Sequence, residues 1–534
     1  MYRILTASKD TYITDKILNN KFRVTDTNVG KAASLDLFKL YGESISGSDT
    51  SPLEISRILV DFDLKPLRDL TSSILDYSDN SFNCTLKLFD IYGGQTTPAD
   101  FKIIVFPLSR SFDEGNGIDV VRYQDLGSSN FITSSVSSGS PVKWFKSGAN
   151  KQGLLNSDDI DIISSGTIKG KGSDGVVSLF KTQTFANGDE DLSVDVTNIV
   201  SATLAGLIPD KGFRISYSGT QETDGFTRFV KRFASTQHSE YSKRPRIEVK
   251  FNDSVQDHHE AFYFNISGSI FLNNFHRGVY SSILSGAAAS QITGANSLIL
   301  KLESGSTSRG TYFSKIITAS AHKRGINYIS GVYSASFALS EFSSSNRGEI
   351  RTKTSQSYYG SGSIDSLENE IRNAGSATFT EIWGSLDGTV GFLTSSFVIS
   401  SVNRTSFNNQ NKRLLCSITN MKNEYRHSDV VRFRVFIEDI DRPVKSSKVP
   451  LETKSQIFTS LYYRIRDAES GKIIIPFDSS TSLGTLCSCD SEGMYFDVYM
   501  SSLFKGKLYT IDLLLKDRSI DQVFTDIAAK FRII

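Results

Sequence analysis

The stretch VDVTNIVSATLAGLIPDKGFRISY (194–217) and its continuation FVKRFASTQHSEYSKRPRIEVKF (229–251) decide how the first half of the chain is read. Val196, Ile199, Val200, Thr203, Leu204 and Leu207 recur at steps of three and four, which sets them on one apolar stripe of a helix. Asp195 or Thr197 can accept the free N–H groups at its start, and Gly206 and Pro209 end it. Strands follow over 212–218 and 246–250, separated by a basic, aromatic run from Phe226 to Phe233 and a polar turn over 235–244. A lone helix crossing a run of strands just before the last of them predicts a mainly β body, closed by helix 196–207.

Outward from this stretch the same pattern repeats. Ile58, Val60, Phe62 and Leu64 alternate with Leu59, Asp61 and Asp63, which reads as a half-buried strand with a polar outer face. Strands are also expected around Leu35–Tyr41, over 86–92 and over 102–108, with one helical turn over 64–70. The polar junction NDSVQDHHEA (252–261) reads as a linker. Beyond it Leu298, Leu300 and Leu302 alternate with Ile299, Lys301 and Glu303. GVYSASFALS (331–340) echoes GFLTSSFVIS (391–400), either as a duplicated half-unit or as chance likeness in Ser-rich sequence. The stretch 343–363 reads as a long loop and 366–375 as a short helix capped by Ser366. From about 404 a third unit follows. VVRFRVFIEDI (430–440) places Val431, Phe433, Val435 and Ile437 on one face, and 460–478 is a hairpin turning at Glu469-Ser470-Gly471. The expected fold is tandem β-sandwich domains over 1–252, 260–403 and 404–534, the first jelly-roll-like with one helix near its end and the last immunoglobulin-like.

Composition agrees. Tyr (21) and Phe (36) are abundant, and such rings suit pleated, half-buried surfaces. With 59 basic against 58 acidic residues, no net field draws the chain to nucleic acid or an anionic membrane. No run of 18 apolar residues occurs, and MYRILTASKD does not read as a signal peptide. Cys84, Cys416, Cys487 and Cys489 are expected as reduced thiols.

The order helix, Gly-Phe strand, Phe-Ala-Ser and Arg-Pro-Arg-Ile-Glu-Val resembles the end of the DNRLRE-type jelly-roll domain. ASKDTYITD (7–15), Asn28 and Gly30, SRILVDFDL (56–64), and Trp144 with Gly148-Ala149 resemble its opening strand, its Asn-x-Gly turn, its core strand and its middle loop. The likeness spans 1–252 and implies a carbohydrate-binding-module-like sandwich, of a kind found in secreted and cell-wall proteins and in phage particles.

No nucleophile elbow, zinc-protease helix, phosphate loop or paired-carboxylate signature is present; KGKGSDG (169–175) lacks the closing Gly-Lys-Ser/Thr. An enzyme is therefore not expected. His258-His259 beside Asp257 and Glu260 reads as a solvated linker, because neighbours on an extended chain point apart. Asp113 and Glu114, and Asp189, Glu190 and Asp191, sit in Gly-bearing turns that read either as solvated carboxylates or as a Ca²⁺ site; no other cofactor is expected. Phe226, Arg228, Phe229, Lys231, Arg232 and Phe233 form the candidate partner-contact edge. Strict alternation puts Phe226, Arg228, Val230 and Arg232 on one side of it. Tyr123 and Trp144 are the candidate glycan-stacking aromatics. These features point to a non-enzymatic structural protein of a tailed-phage virion, at neck, tail or head surface. It would assemble in the host cytoplasm with other virion proteins and copies of itself, and 1–252 would dock while the later units project. The rival expectation is a secreted or cell-surface carbohydrate-binding protein.

Overall fold

In a computed structural model, the described residues are all except 45–50, 93–96, 123, 126, 169–174, 278, 287, 305–312, 325–326, 340–349, 353–370, 372, 402–412, 441–454, 518–519, 526 and 528. Tyr123, most of 343–363 and most of the expected helix over 366–375 therefore lie outside them. Within 343–363, residues Ile350–Thr352 form a strand against Asn327–Leu339. The chain is mainly β and built from tandem sandwiches.

In the N-terminal body, a four-stranded antiparallel sheet runs in the order Tyr2–Thr6, Arg246–Lys250, Asn83–Leu88, Leu192–Asp195. It faces a seven-stranded sheet in the order Lys181–Phe185, Phe101–Pro107, Phe213–Tyr217, Leu53–Asp61, Ser34–Tyr41, Arg228–Ala234, with Lys9–Thr14 paired to Leu53–Asp61. Ile58, Val60, Ile103, Val105, Leu86 and Ile247 fill the space between. Helix Thr197–Leu204 lies over this core with Ile199, Val200 and Leu204 buried. The N-cap position falls on Val196, and Asp195 Oδ1 just before it accepts the Thr197 N–H at 2.9 Å, so of the two expected acceptors at the helix start Asp195 is the one used. A second short helix covers Lys65–Thr71.

The outer face of the seven-stranded sheet is not the solvent-facing polar surface expected from the alternation at 58–64: it is covered, with the buried charges of Arg57 and Arg214 beside an apolar patch. Ile13, Leu59, Ile104 and Phe106 form a second core with Phe112, Trp144, Ala149 and Ile162 from the excursion over 109–168. The body thus has a third layer. Asp161, fully buried, fastens it by accepting the N–H groups of Phe145 (2.9 Å), Lys146 (3.0 Å) and Lys151 (2.9 Å). The motif at Asn28 and Gly30 pins its other end. Asn28 donates to the carbonyls of Glu114 (2.8 Å) and Ser129 (2.7 Å), and a Cβ at Gly30 would stand 1.9 Å from the Glu114 carbonyl oxygen.

The middle body is one curled sheet in the order Phe262–Tyr263, Gly391–Ser400, Ser376–Gly384, Leu298–Ser304, Phe313–Arg324, Asn327–Leu339, Ser267–Asn273. Strand Phe313–Arg324 turns the corner, pairing Leu298–Ser304 through residue 319 and Asn327–Leu339 from residue 320. Phe262 from one end of the sheet stacks on Phe337 near the other, with ring centroids 4.6 Å apart. Apart from Ser340, the two echoing stretches lie in Asn327–Leu339 and Gly391–Ser400, each the second strand out from Leu298–Ser304.

The C-terminal body pairs a sheet of Leu414–Ile418, Val430–Asp439, Gly493–Tyr499 and Ser488–Asp490 with one built on Leu508–Asp517, Leu461–Asp467 and Lys530–Ile533. Phe433, Tyr463, Phe496, Tyr509 and Phe531 meet in its core. This body also closes over the first strand of the chain. Tyr2 and Ile4 belong to its core, while Met1 and Leu5 belong to the N-terminal one. The junction after residue 252 is likewise no free linker. Gln256 bridges to Cys489, Cys489 N–H donates to Val255 O (2.9 Å) and Asp257 N–H to Cys489 O (3.1 Å), so 255–257 extends the C-terminal sheet.

Candidate functional site

Strand Arg228–Ala234 ends the described seven-stranded sheet; its far side is bridged by 89–91 at residues 232–234, which leaves the 228–231 half as edge, and its pairing with Ser34–Tyr41 slips between Arg228 and Lys231. That bulge breaks the expected alternation. Phe226 (70% exposed) and Phe229 (50%) both stand in solvent, with Tyr41 exposed beside them, while Lys231 and Phe233 turn fully inward. Lys231 and Phe233 are thus corrected from contact residues to interior ones. The Lys231 ammonium donates to Asp90 Oδ1 (2.5 Å), Gly188 O (2.8 Å) and Glu190 O (2.8 Å), and lies over the rings of Phe185 and Phe233.

The other cations of the run are neutralised in place. Arg228 makes a two-pronged bond to Asp224 at 2.8 Å on each side, and the buried Lys39 binds the same carboxylate. The Arg228 bonds hold the Asp224 pKa far below the usual carboxylate range. Arg232 pairs with Asp36 in the same two-pronged way, at 2.7 and 2.8 Å. What the edge offers is aromatic surface flanked by satisfied charges, a poor grip for phosphate.

Trp144 is 5% exposed, and its indole N–H donates to Asn130 O at 3.0 Å. It is a core residue of the third layer and is withdrawn as a sugar platform. The exposed ring there is its neighbour Phe145, which carries the Arg110 guanidinium 3.8 Å from its centroid and Lys151 at 5.4 Å. Phe145 and Arg110 wall an open cleft of about 330 Å³ with Asn156, Asp158, Asp159 and Pro209. Sequence reading missed this cleft because 145 and 156–159 meet only through the Asp161 clamp.

The acidic turns are occupied by internal bonds. Glu190 accepts the N–H groups of Ala186, Asn187 and Gly188 at 2.7–2.9 Å, the Asn187 bond being the chief cause of its lowered pKa. Asp191 accepts from Asp90 N–H and Asp113 from Val136 N–H, each at 2.7 Å, and Glu114 pairs with Lys31. Among the described residues, no group of three or more His, Cys, Asp or Glu is placed to hold a metal. All four cysteines are buried thiols, and burial pushes those of Cys416 and Cys489 up to about 12. No described helix is long and apolar enough to cross a membrane.

His258 and His259 do diverge, but neither is a solvated linker residue. His258 meets the backbone of Ser269, whereas His259 sits between two carboxylates, Asp257 (Nδ1–Oδ1, 2.5 Å) and Glu381 (Nε2–Oε2, 3.0 Å).

No protein-family model matches the chain, and no curated protein matches it. Among solved structures the chain was aligned with the native conformation of alpha-2-macroglobulin from E. coli, at 9% identity and a TM-score of 0.11. The alignment covers 98% of this chain, which spans about a third (35%) of that protein's length; a score that low carries no argument.

Proposed function

We propose that this chain is a non-enzymatic structural protein of a tailed-phage particle, at its neck, tail or head surface. It assembles there with other particle proteins and with copies of itself. The observation that carries the reading is the edge at 226–232. Its cations are spent inside the chain, and Phe226 and Phe229 remain exposed at the last described strand of a sheet, a surface suited to protein contact. Support for a non-enzymatic role comes from the acidic turns, whose carboxylates serve as internal acceptors. The phage setting rests on the resemblance of 1–252 to particle-associated jelly rolls. In this reading the N-terminal body docks, and the middle body, tied on through 252–261, projects. Stable contacts of this kind bury about 1,200–2,000 Å² in total.

Replacing both Phe226 and Phe229 with alanine tests it. Both side chains face solvent, so the melting point should hold, with a stability change of about 0.5 kcal/mol or less. Incorporation into particles, measured by co-sedimentation, should fall at least about tenfold, the effect of losing ~1.4 kcal/mol of contact energy. Unchanged incorporation would remove this edge from the assembly.

The cleft at Phe145 favours a second reading, a glycan-binding surface protein. An exposed ring flanked by donors (Arg110, Lys151) and acceptors (Asp158, Asp159) suits a polyhydroxylated ligand. On that reading calorimetry finds an oligosaccharide that binds the full chain, and Phe145→Ala weakens it about tenfold or more. Binding indifferent to Phe145, or none at millimolar sugar, sets the reading aside.

A further inference from the structure

Besides an exposed hydrogen bond from Asn327 Nδ2 to Thr71 O (3.3 Å), the middle body meets the rest of the chain at a buried polar node. Asp257 is 4% exposed and Glu381, in the middle of strand Ser376–Gly384, is 2% exposed. Burying two carboxylates is costly unless a cation neutralises them. For Asp257 and Glu381 the cationic partner in the structure is the same imidazole, with one ring nitrogen on each. Asp257 is itself laced to the C-terminal body, since its N–H donates to Cys489 O (3.1 Å) and its carbonyl accepts the Cys489 thiol (3.3 Å). The path from the C-terminal sheet to the core strand of the middle body therefore runs Cys489, Asp257, His259, Glu381.

We propose that His259 is a latch residue: as an imidazolium shared by Asp257 and Glu381, it fixes the orientation of the middle body against the joined N- and C-terminal bodies. Both ring nitrogens face carboxylate oxygens, so both must carry protons for two hydrogen bonds to form. Loss of that charge leaves two buried carboxylates facing each other across a neutral ring, a cost that protonation of one carboxylate or separation of the bodies that carry them relieves.

The other ionisable groups nearby do not substitute for it. His258 is turned to the Ser269 backbone, Glu260 is a further anion on the same segment, and the Cys489 thiol is held neutral by burial, aided by the charge of Asp257. Burial alone would push the His259 pKa down, but hydrogen bonds and charge from Asp257 and Glu381 override it and raise the pKa to about 10. The sign follows. With the folded value above the unfolded one of about 6.5, the tie is at full strength below about pH 6.5 and is lost as pH rises through about 10.

The test is hydrogen exchange on the full chain at neutral pH, comparing wild type with His259→Gln. Exchange at 255–261 and 376–384 should rise at least tenfold in the variant, with Leu53–Asp61 and Leu508–Asp517 unchanged. If the variant does not fold, selective ¹³C labelling of the wild-type histidines gives the answer. Of the six, the one lost in a Glu381→Gln comparison should remain protonated at pH 8.5. Unchanged exchange in a folded His259→Gln, or a wild-type His259 that titrates near 6.5, overturns the proposal.

Discussion

Lys231→Ala should destabilise the N-terminal body by about 3–5 kcal/mol, the range seen when one partner of a buried ion pair is removed. The ammonium is fully buried and carries three acceptors, Asp90 Oδ1, Gly188 O and Glu190 O. Alanine leaves all three without that donor and opens a void beside Phe185 and Phe233. At roughly 2–4 °C per kcal/mol for a body of this size, the thermal transition should fall by about 6–20 °C. Lys231→Met keeps most of the stem volume and should recover part of the loss, separating the packing contribution from that of the charge. Scanning calorimetry reads both. A shift below about 2 °C for Lys231→Ala would mean that the edge strand is held by its sheet pairing alone.

The second large effect is expected at Asp161. Its carboxylate answers three backbone N–H groups on 145–151, and Asp161→Ala buries those donors unpaired at about 1–3 kcal/mol each before relaxation. Some of that cost is relieved by loosening the loop, so a net loss of about 4 kcal/mol is expected, concentrated in the third layer. Trp144 reports it directly. In a Trp383→Phe background, the emission of the remaining tryptophan should move to the red as its ring leaves the core of Leu59, Ile104 and Phe106. The cleft walled by Phe145 and 156–159 should be lost with it, so any ligand bound there is released. Emission that stays blue would show that Trp144 is held by the hydrophobic contact alone.

Much of the fold was legible because alternation and capping are local. Leu298, Leu300 and Leu302 are buried as their spacing requires, Phe433, Val435 and Ile437 share one buried face, and Gly471 takes the positive φ (70°) of the hairpin turn. What could not be read is what covers the other side of a strand. Leu59 looked like part of a polar outer face until residues from 109–168 closed over it. Tyr2 and Ile4 gave no sign of joining a core whose other members begin some four hundred residues later. The edge failed for a different reason. One bulge between Arg228 and Lys231 reassigns each following side chain, and nothing in FTRFVKRF marks where it falls. At the junction, 255–257 carries no strand pattern of its own because it borrows one from Ser488–Asp490.

The account stands on the claim that this chain is built into a particle through the exposed edge at 226–229. Cross-linking mass spectrometry on purified, intact particles tests it most directly. The expected result is this chain present in stoichiometric amounts, with cross-links from residues around 221–232 to another particle protein or a second copy. Absence of the chain from particles, or particles in which cross-links come only from 413–534 while that edge stays free, would contradict it.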